Sequence, residues 1–271
     1  MKLSPNASPN LQKETPFRFG AQLYSVRERC QTPEGFRQTV KEIAAIGYKG
    51  VQVSGQSRDI DPRVIRDACD SNGLSIVCTH VPFDDLKDQL DKIIQNHQIY
   101  SCRYPGLGSL PMQYYENGVA SLMDFISIIN GIADKLADHD MRLLYHNHAH
   151  EFQRFNGRLA FDLLREQCNE NVQFEIDTFW VQCGGGDPVK ALRGRSADVI
   201  HFKDMLGTAK NGNIICTVGK GNLDWPEIIQ TCRETRVQWA MVEQDNAAEL
   251  GDSIRAMADA FDFLVKQGVE P

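Results

Sequence analysis

The chain has 271 residues, 42% hydrophobic and 24% charged, enough to bury a core without disulfide staples and outside the range of disordered or fibrous proteins. Lys and Arg number 29 against 36 Asp and Glu, a formal charge of −7, which argues against nucleic acid or an anionic membrane as the main partner. No apolar stretch approaches the ~20 residues that cross a bilayer, and the eight cysteines stand singly, without C-x-x-C spacing, as reduced thiols of a cytoplasmic protein do.

Residues 1–16, MKLSPNASPNLQKETP, lack an apolar signal core and are expected to form a flexible arm. From there short β-rich runs alternate with amphipathic segments. Strand one is read at RFGAQLYS (18–25), followed by a helix at 33–47 in which Phe36, Val40, Ile43 and Ala44 recur at helical spacing before Gly47. Strand two is GYKGVQVS (47–54), with a helix at 62–73, and strand three is LSIVCTHV (74–81). Strand four is SCRYPGLG (101–108), then a long helix at 121–140 and strand five, MRLLYHNH (141–148). Strands six, seven and eight are VQFEIDTF (172–179), ADVIHFKD (197–204) and VQWAMVEQD (237–245), and the last helix is 251–268. Eight alternations of strand and helix predict parallel βα units. The fold class is therefore α/β, a single (β/α)8 TIM barrel with a parallel eight-stranded core over residues 17–271. A doubly wound sheet would carry a glycine-rich turn after strand one, where this chain reads QLYSVRERC.

In such a barrel the active site lies at the C-terminal strand ends, and these ends carry the ionisable residues. Strand three ends in Cys78-Thr79-His80, strand five in His146-Asn147-His148 with His150 and Glu151 following, and strand six in Glu175-Ile176-Asp177. Strand seven ends in His201-Phe202-Lys203-Asp204 and strand eight in Glu243-Gln244-Asp245. Alternation pairs His146 with His148, Glu175 with Asp177, His201 with Lys203 and Glu243 with Asp245 on common faces. Inward charges on parallel strands are costly unless paired or bound to a metal. The expected metal ligands are Glu151, Asp177, His201 and Glu243, with His146 or His148 as alternatives to Glu151 at the strand-five position. Such a set suits one divalent metal, Mn²⁺ or Mg²⁺ first, with Zn²⁺ or Co²⁺ as further candidates. Asp204 is read as a substrate contact or a cap, and Asp245 as a substrate contact or a rim ion-pair partner.

YHNHAHEF, FEIDTFWVQCGGGDPV, VIHFKDM, VGKGNLDW and MVEQD, with GAQLYSVRE and THVPFDDL before them, resemble in order and spacing the sugar phosphate isomerase/epimerase superfamily, the xylose isomerase-like TIM barrels. The similarity spans nearly the whole chain after the arm. It implies Asp177, His201 and Glu243 as metal ligands on strands six to eight. The ketose epimerases of that superfamily place a glutamate inside strand five, where this chain has Tyr145-His146; the HNHxxEF form implies Glu151 as the residue available to the metal. The tri-zinc endonuclease branch would need further ligands and a basic groove, which a charge of −7 does not provide.

The expected chemistry is a divalent-metal-dependent isomerase or epimerase acting on a small sugar or keto-sugar through an enediolate. A lyase or dehydratase acting on a keto-inositol or 3-keto-glycoside shares that step. A non-catalytic carbohydrate-binding subunit would require a broken metal set. Glu243 and Glu151 are the candidate base and acid. His146, His148 and Lys203 are candidate proton donors or hydroxyl contacts, with Lys203 alternatively paired to Asp204, Asp177 or Glu175. Gln22, His80, Trp180, Asp204 and Asp245 are candidate substrate contacts, Gln244 another, and Tyr24, Phe83, Trp180 and Trp225 a candidate aromatic wall. The glycine run at 183–192 is read as a helix cap at Asp187-Pro188, and 218–229 as a helix start at Asp224–Pro226. A homo-oligomer is expected by resemblance.

Overall fold

The computed structural model describes residues 17–195 and 198–271; the expected arm at 1–16 and Ala197, the first residue of predicted strand seven, lie outside them. Eight parallel strands form the barrel: β1 (Arg18–Gln22), β2 (Gly50–Val53), β3 (Ser75–Val81), β4 (Pro105–Leu107), β5 (Leu143–His146), β6 (Val172–Glu175), β7 (Val199–Phe202) and β8 (Trp239–Val242). Their order is β6-β5-β4-β3-β2-β1-β8-β7. Between β6 and β7 the seam is drawn together by the bridge of Asp177 to His201, where the His201 amide donates to the Ile176 carbonyl at 2.9 Å. The barrel thus closes at the C-terminal ends of its strands.

The strands are shorter than their apolar runs. Predicted strand one extends to residue 25, yet β1 stops at Gln22, and Leu23–Arg29 turns into a 3-10 helix whose first turn is capped by the Gln22 side chain. Strands five, six and eight likewise stop before Asn147, Ile176 and Glu243. Two antiparallel hairpins stand apart from the barrel sheet, Arg154–Phe155 with Arg158–Leu159 and Asp204–Thr208 with Gly212–Cys216. The first turns through Asn156 (φ 51°) and Gly157 (φ 82°), the left-handed pair of a type I′ turn.

The main helices are α1 (Pro33–Ile46), α2 (Pro62–Asp70), α3 (Leu90–Tyr100), α4 (Val119–Ala137), α5 (Ala160–Gln167), α6 (Pro188–Arg193), α7 (Trp225–Glu234) and α8 (Ser253–Lys266). Four of them open on a side-chain oxygen followed by proline: Thr32-Pro33, Asp61-Pro62, Asp187-Pro188 and Asp224 before Pro226. In α4 the residues Leu122, Phe125, Ile126, Ile129, Ala133 and Leu136 are buried, the 3–4 spacing of a stripe laid on the barrel wall. Each of the Leu, Ile and Phe side chains contributes roughly 1.5–3 kcal/mol. The shell of helix against strand is the main core, whereas the barrel interior holds a separate small cluster of Cys78, Leu144, Val199 and Met241 over Val77, Tyr104 and Trp239. A side chain at Gly20 would come within 2.6 Å of the Met241 methyl, and one at Gly50 within 2.5 Å of the Trp239 ring, so two glycines make room for the large residues that fill the lower barrel.

Candidate metal centre and substrate pocket

Above that apolar plug the interior turns polar. His146 at the end of β5, Asp177 two residues beyond β6, His201 in β7 and Glu243 just after β8 bring one donor atom each to within 4.8 Å of one another, and all four are buried. Asp177 divides its carboxylate between structure and site. Its Oδ1 accepts the Trp180 amide at 2.8 Å, capping the helix Thr178–Cys183. Its Oδ2 lies 3.3 Å from His146 Nε2 and 3.6 Å from His201 Nδ1. Glu243 Oε2 lies 3.1 Å from both His201 Nδ1 and Lys203 Nζ.

A second layer fixes this one. Glu175 is fully buried and accepts from His80 Nε2 at 2.7 Å and from Gln52 Nε2 at 3.1 Å, while His201 Nε2 lies 3.2 Å away. His201 Nε2 also meets Gln52 Oε1 at 2.7 Å. The proton on Nε2 is therefore held from below, which leaves Nδ1 directed at Asp177 and Glu243. Gln52 was not among the sequence candidates. Its signal was the period-2 alternation of β2, which sets it inward two residues after Gly50.

Glu151 stands elsewhere. It is fully buried in the turn Ala149–Phe152, where it accepts the Tyr145 hydroxyl at 2.6 Å and the His148 amide at 2.8 Å. Its group partners are His148 and His150 rather than Asp177, His201 and Glu243. The chain turns back after Asn147, whose Oδ1 accepts the Asp177 amide at 3.0 Å, and this carries Glu151 behind the strand end. His146 takes the strand-five position in the cluster.

Charge follows geometry. Burial works against ionisation of Asp177 and Glu243, but the Lys203 ammonium and the neighbouring imidazoles outweigh it and hold both carboxyls below their ordinary range. For Glu175 burial is likewise outweighed, by His201 and His80. His201, desolvated yet facing Glu175 and Glu243, is pushed up, whereas burial and the His201 charge push His146 down. Burial raises the Glu151 carboxyl to about 8 against its hydrogen bonds from Tyr145 and His148. Lys203 is buried, sits 2.8 Å from Asp245 and 4.9 Å from the Trp180 ring, and pairs with Glu243 and Asp245 and, at 3.9 Å, with Asp177, as one expected alternative had it, but not with Asp204 or Glu175.

A pocket of about 570 Å³ opens over the cluster, lined by His80, His146, His148, Lys203, Glu243 and Asp245 on the polar side and by Tyr24, Phe83 and Pro111 on the apolar side. His80 and Asp245 thus face it. Trp180 lies behind, its ring 5.0 Å from that of His148. Asp204 does not reach the pocket: it accepts the amides of Gly219 and Gly221 at 2.9 Å and the Trp225 indole at 2.8 Å, pinning the 217–225 loop. Trp225 is buried against Phe202 and Phe263 and is no part of a wall. Gln22 is buried and accepts the Tyr24 amide at 3.1 Å, a cap rather than a pocket contact. Gln244 is buried too, bonded to Asn246 at 3.2 Å. The glycine run at 184–186 gives a slot for Phe152, whose ring a side chain at Gly184 or Gly186 would meet at 2.5 Å; Asp187 caps α6 through the Val189 amide at 2.9 Å. Lys220 pairs with Asp259 at 2.5 Å on the rim.

The sequence model of the xylose isomerase-like TIM barrels matches residues 40–267. The chain belongs to that family. Members of the fold among solved structures include a sugar phosphate isomerase/epimerase from Parabacteroides distasonis, 18% identical with a TM-score of 0.74, covering 96% of this chain and 98% of that one. The probable 3-DHS dehydratase AsbF of Bacillus anthracis is 16% identical with a TM-score of 0.69 over 92% of this chain and 99% of its own. D-allulose 3-epimerase from Methylomonas sp. is 14% identical with a TM-score of 0.68 over 93% and 98%. No curated protein matches the chain by sequence. Among the described residues no helix is long and apolar enough to cross a membrane.

Proposed function

We propose that the protein is a divalent-metal-dependent isomerase or epimerase that acts on a small sugar or keto-sugar through an enediolate intermediate. The observation that carries this reading is the convergence of His146, Asp177, His201 and Glu243 beneath a pocket at the C-terminal strand ends. Asp177 and Glu243 already share the Lys203 ammonium, at 3.9 and 3.1 Å, and the two imidazoles beside them make the cluster a donor set for one further cation. The donor set fits one, and with two carboxylates and two imidazoles in place of the expected three carboxylates and one imidazole it favours Mn²⁺, Zn²⁺ or Co²⁺ over Mg²⁺. When bound, such an ion would polarise a carbonyl and the hydroxyl beside it, acidifying the C–H of the hydroxyl-bearing carbon.

The remaining roles fall to the chain itself. Glu243, shared by His201 and Lys203, is the proton acceptor. Lys203, fixed by Asp245, donates to substrate oxygen as charge builds there. His148 lines the pocket from the β5 side and is kept neutral by burial and by His146, so it serves as a hydroxyl contact rather than a charged group. His80 contacts hydroxyls from β3. Tyr24 and Phe83 take the apolar face of a sugar ring.

One observation favours elimination as a second reading. A volume of about 570 Å³ lies mid-range for small-molecule pockets, ~300–1,000 Å³, and leaves room for a 3-keto-glycoside as well as for a monosaccharide.

Metal content of the purified chain beside an Asp177→Ala/Glu243→Ala double variant of matching circular dichroism tests the centre. The expected result is a bound ion in the wild type that the variant lacks, and solvent deuterium entering keto-sugars at the α-carbon. Wild-type protein that takes up no Mn²⁺, Co²⁺ or Zn²⁺ would overturn the reading. Release of an ultraviolet-absorbing enone or an aglycone would select elimination.

A further inference from the structure

The loop after β5 gathers a second set of donor atoms. His148, His150 and Glu151 each bring one to within 4.8 Å of the others. The hydrogen bonding around this set is incomplete. His148 Nδ1 and His150 Nε2 are both shut off from solvent, and neither has a hydrogen-bond partner among the described residues. Glu151 Oε1 lies 3.5 Å from His150 Nε2, beyond an ordinary N–H···O bond. A buried polar atom left unpaired carries its desolvation penalty in full, and here two occur on neighbouring rings.

The rings are also held still. They stack at 5.3 Å with planes 8° apart, Trp180 lies against His148, and the edge of Tyr115 meets His150 at 5.0 Å. The carboxylate is anchored by the Tyr145 hydroxyl and the His148 amide, the kind of outer support that ligating carboxylates receive. An organic ligand has no access to these buried nitrogens, whereas a single ion between them needs none of the room a molecule does.

We propose that His148, His150 and Glu151 hold a second divalent transition-metal ion, the ligand nitrogens being the two that lack partners. Two imidazoles and one carboxylate suit Zn²⁺, Co²⁺ or Fe²⁺, and the nitrogen-rich set disfavours Mg²⁺ and Ca²⁺. His148 belongs to this set and also lines the pocket, so the ion ties the pocket wall to the turn Ala149–Phe152. Its role is positional. It shares no ligand with the centre formed by His146, Asp177, His201 and Glu243, and the proposal stands without that centre.

The test uses the full chain, stripped with a chelator, dialysed against Zn²⁺ or Co²⁺ and assayed for metal per chain. The expected result is two ions in the wild type, one in His150→Ala and one in Asp177→Ala/Glu243→Ala, with the thermal midpoint of His150→Ala in chelator equal to that of the wild type. If the first centre binds nothing, this site alone still gives one ion in the wild type and in the double variant and none in His150→Ala. Equal stoichiometry and affinity in His150→Ala and wild type overturns the proposal. Should His150→Ala misfold, His150→Gln is read by the same criteria.

Discussion

The two ends of the barrel both bury charge, and they treat it differently. At the N-terminal floor Asp198 has a dedicated partner for each oxygen, the Tyr104 hydroxyl at 2.9 Å and Arg236 Nε at 2.8 Å, and its carbonyl accepts the amides of Gln238 and Trp239. At the mouth Asp177 and Glu243 converge on one another, and His201, Lys203 and His146 are divided among them. A closed pairing stabilises; a convergence of like charges is tolerated only where a ligand or a reaction uses it. The floor therefore reads as architecture and the mouth as chemistry.

The sharpest way to break this contrast is at the layer between the two. Glu175→Gln keeps the shape but removes the anion that His80 and Gln52 bond and His201 faces. Co²⁺ affinity at the cluster should fall by roughly 10–100-fold, measured by equilibrium dialysis. Unchanged affinity would make Glu175 a purely structural residue.

Acid separates a paired group in the wall from those at the mouth. His97 is buried, with Nδ1 on the Ile93 carbonyl at 2.7 Å and Nε2 on the Thr79 hydroxyl at 2.9 Å, and burial lowers it from 6.5 to about 4. The unfolded chain takes up that proton first, so the contribution is present in full above pH 6.5 and is lost as pH falls towards 4. At about 1.4 kcal/mol per pH unit the loss amounts to about 3 kcal/mol. Urea unfolding at both ends of that window should show the wild type losing this much more than His97→Gln; parallel losses would refute it.

The smallest effect belongs to the floor. Tyr104→Phe removes one bond to Asp198 and should cost about 1 kcal/mol in the denaturant midpoint, with metal content unaltered. A change in metal binding would show that floor and mouth are coupled.

Much of the fold was legible in the alternation of short β-rich runs with amphipathic helices, since a parallel strand buried on both faces must be apolar while its covering helix needs only a stripe. Asp187-Pro188 and Asp224 to Pro226 were legible as helix starts because capping is a local interaction. The Asn156-Gly157 dipeptide is an equally local hairpin signal. Strand ends were too long in the sequence because apolar residues continue past the point where the ladder stops, as at Leu23 and Ile176.

The chain alone determined which elements form and that imidazoles and carboxylates gather after strands five to eight, because periodicity and spacing along a strand fix which side chains share a face. Only the tertiary structure decided which of them meet. Glu151 follows His146 by five residues, yet the Tyr145 hydroxyl and the His148 amide claim its carboxylate and turn it from the cluster. Asp204 follows Lys203 directly, yet it faces the amides of Gly219 and Gly221 and not the pocket. Gln52 and Glu175 lie 123 residues apart and bond at 3.1 Å beneath His201. Such choices rest on competition among donors from distant strands, which the closure of the barrel settles and no local pattern encodes.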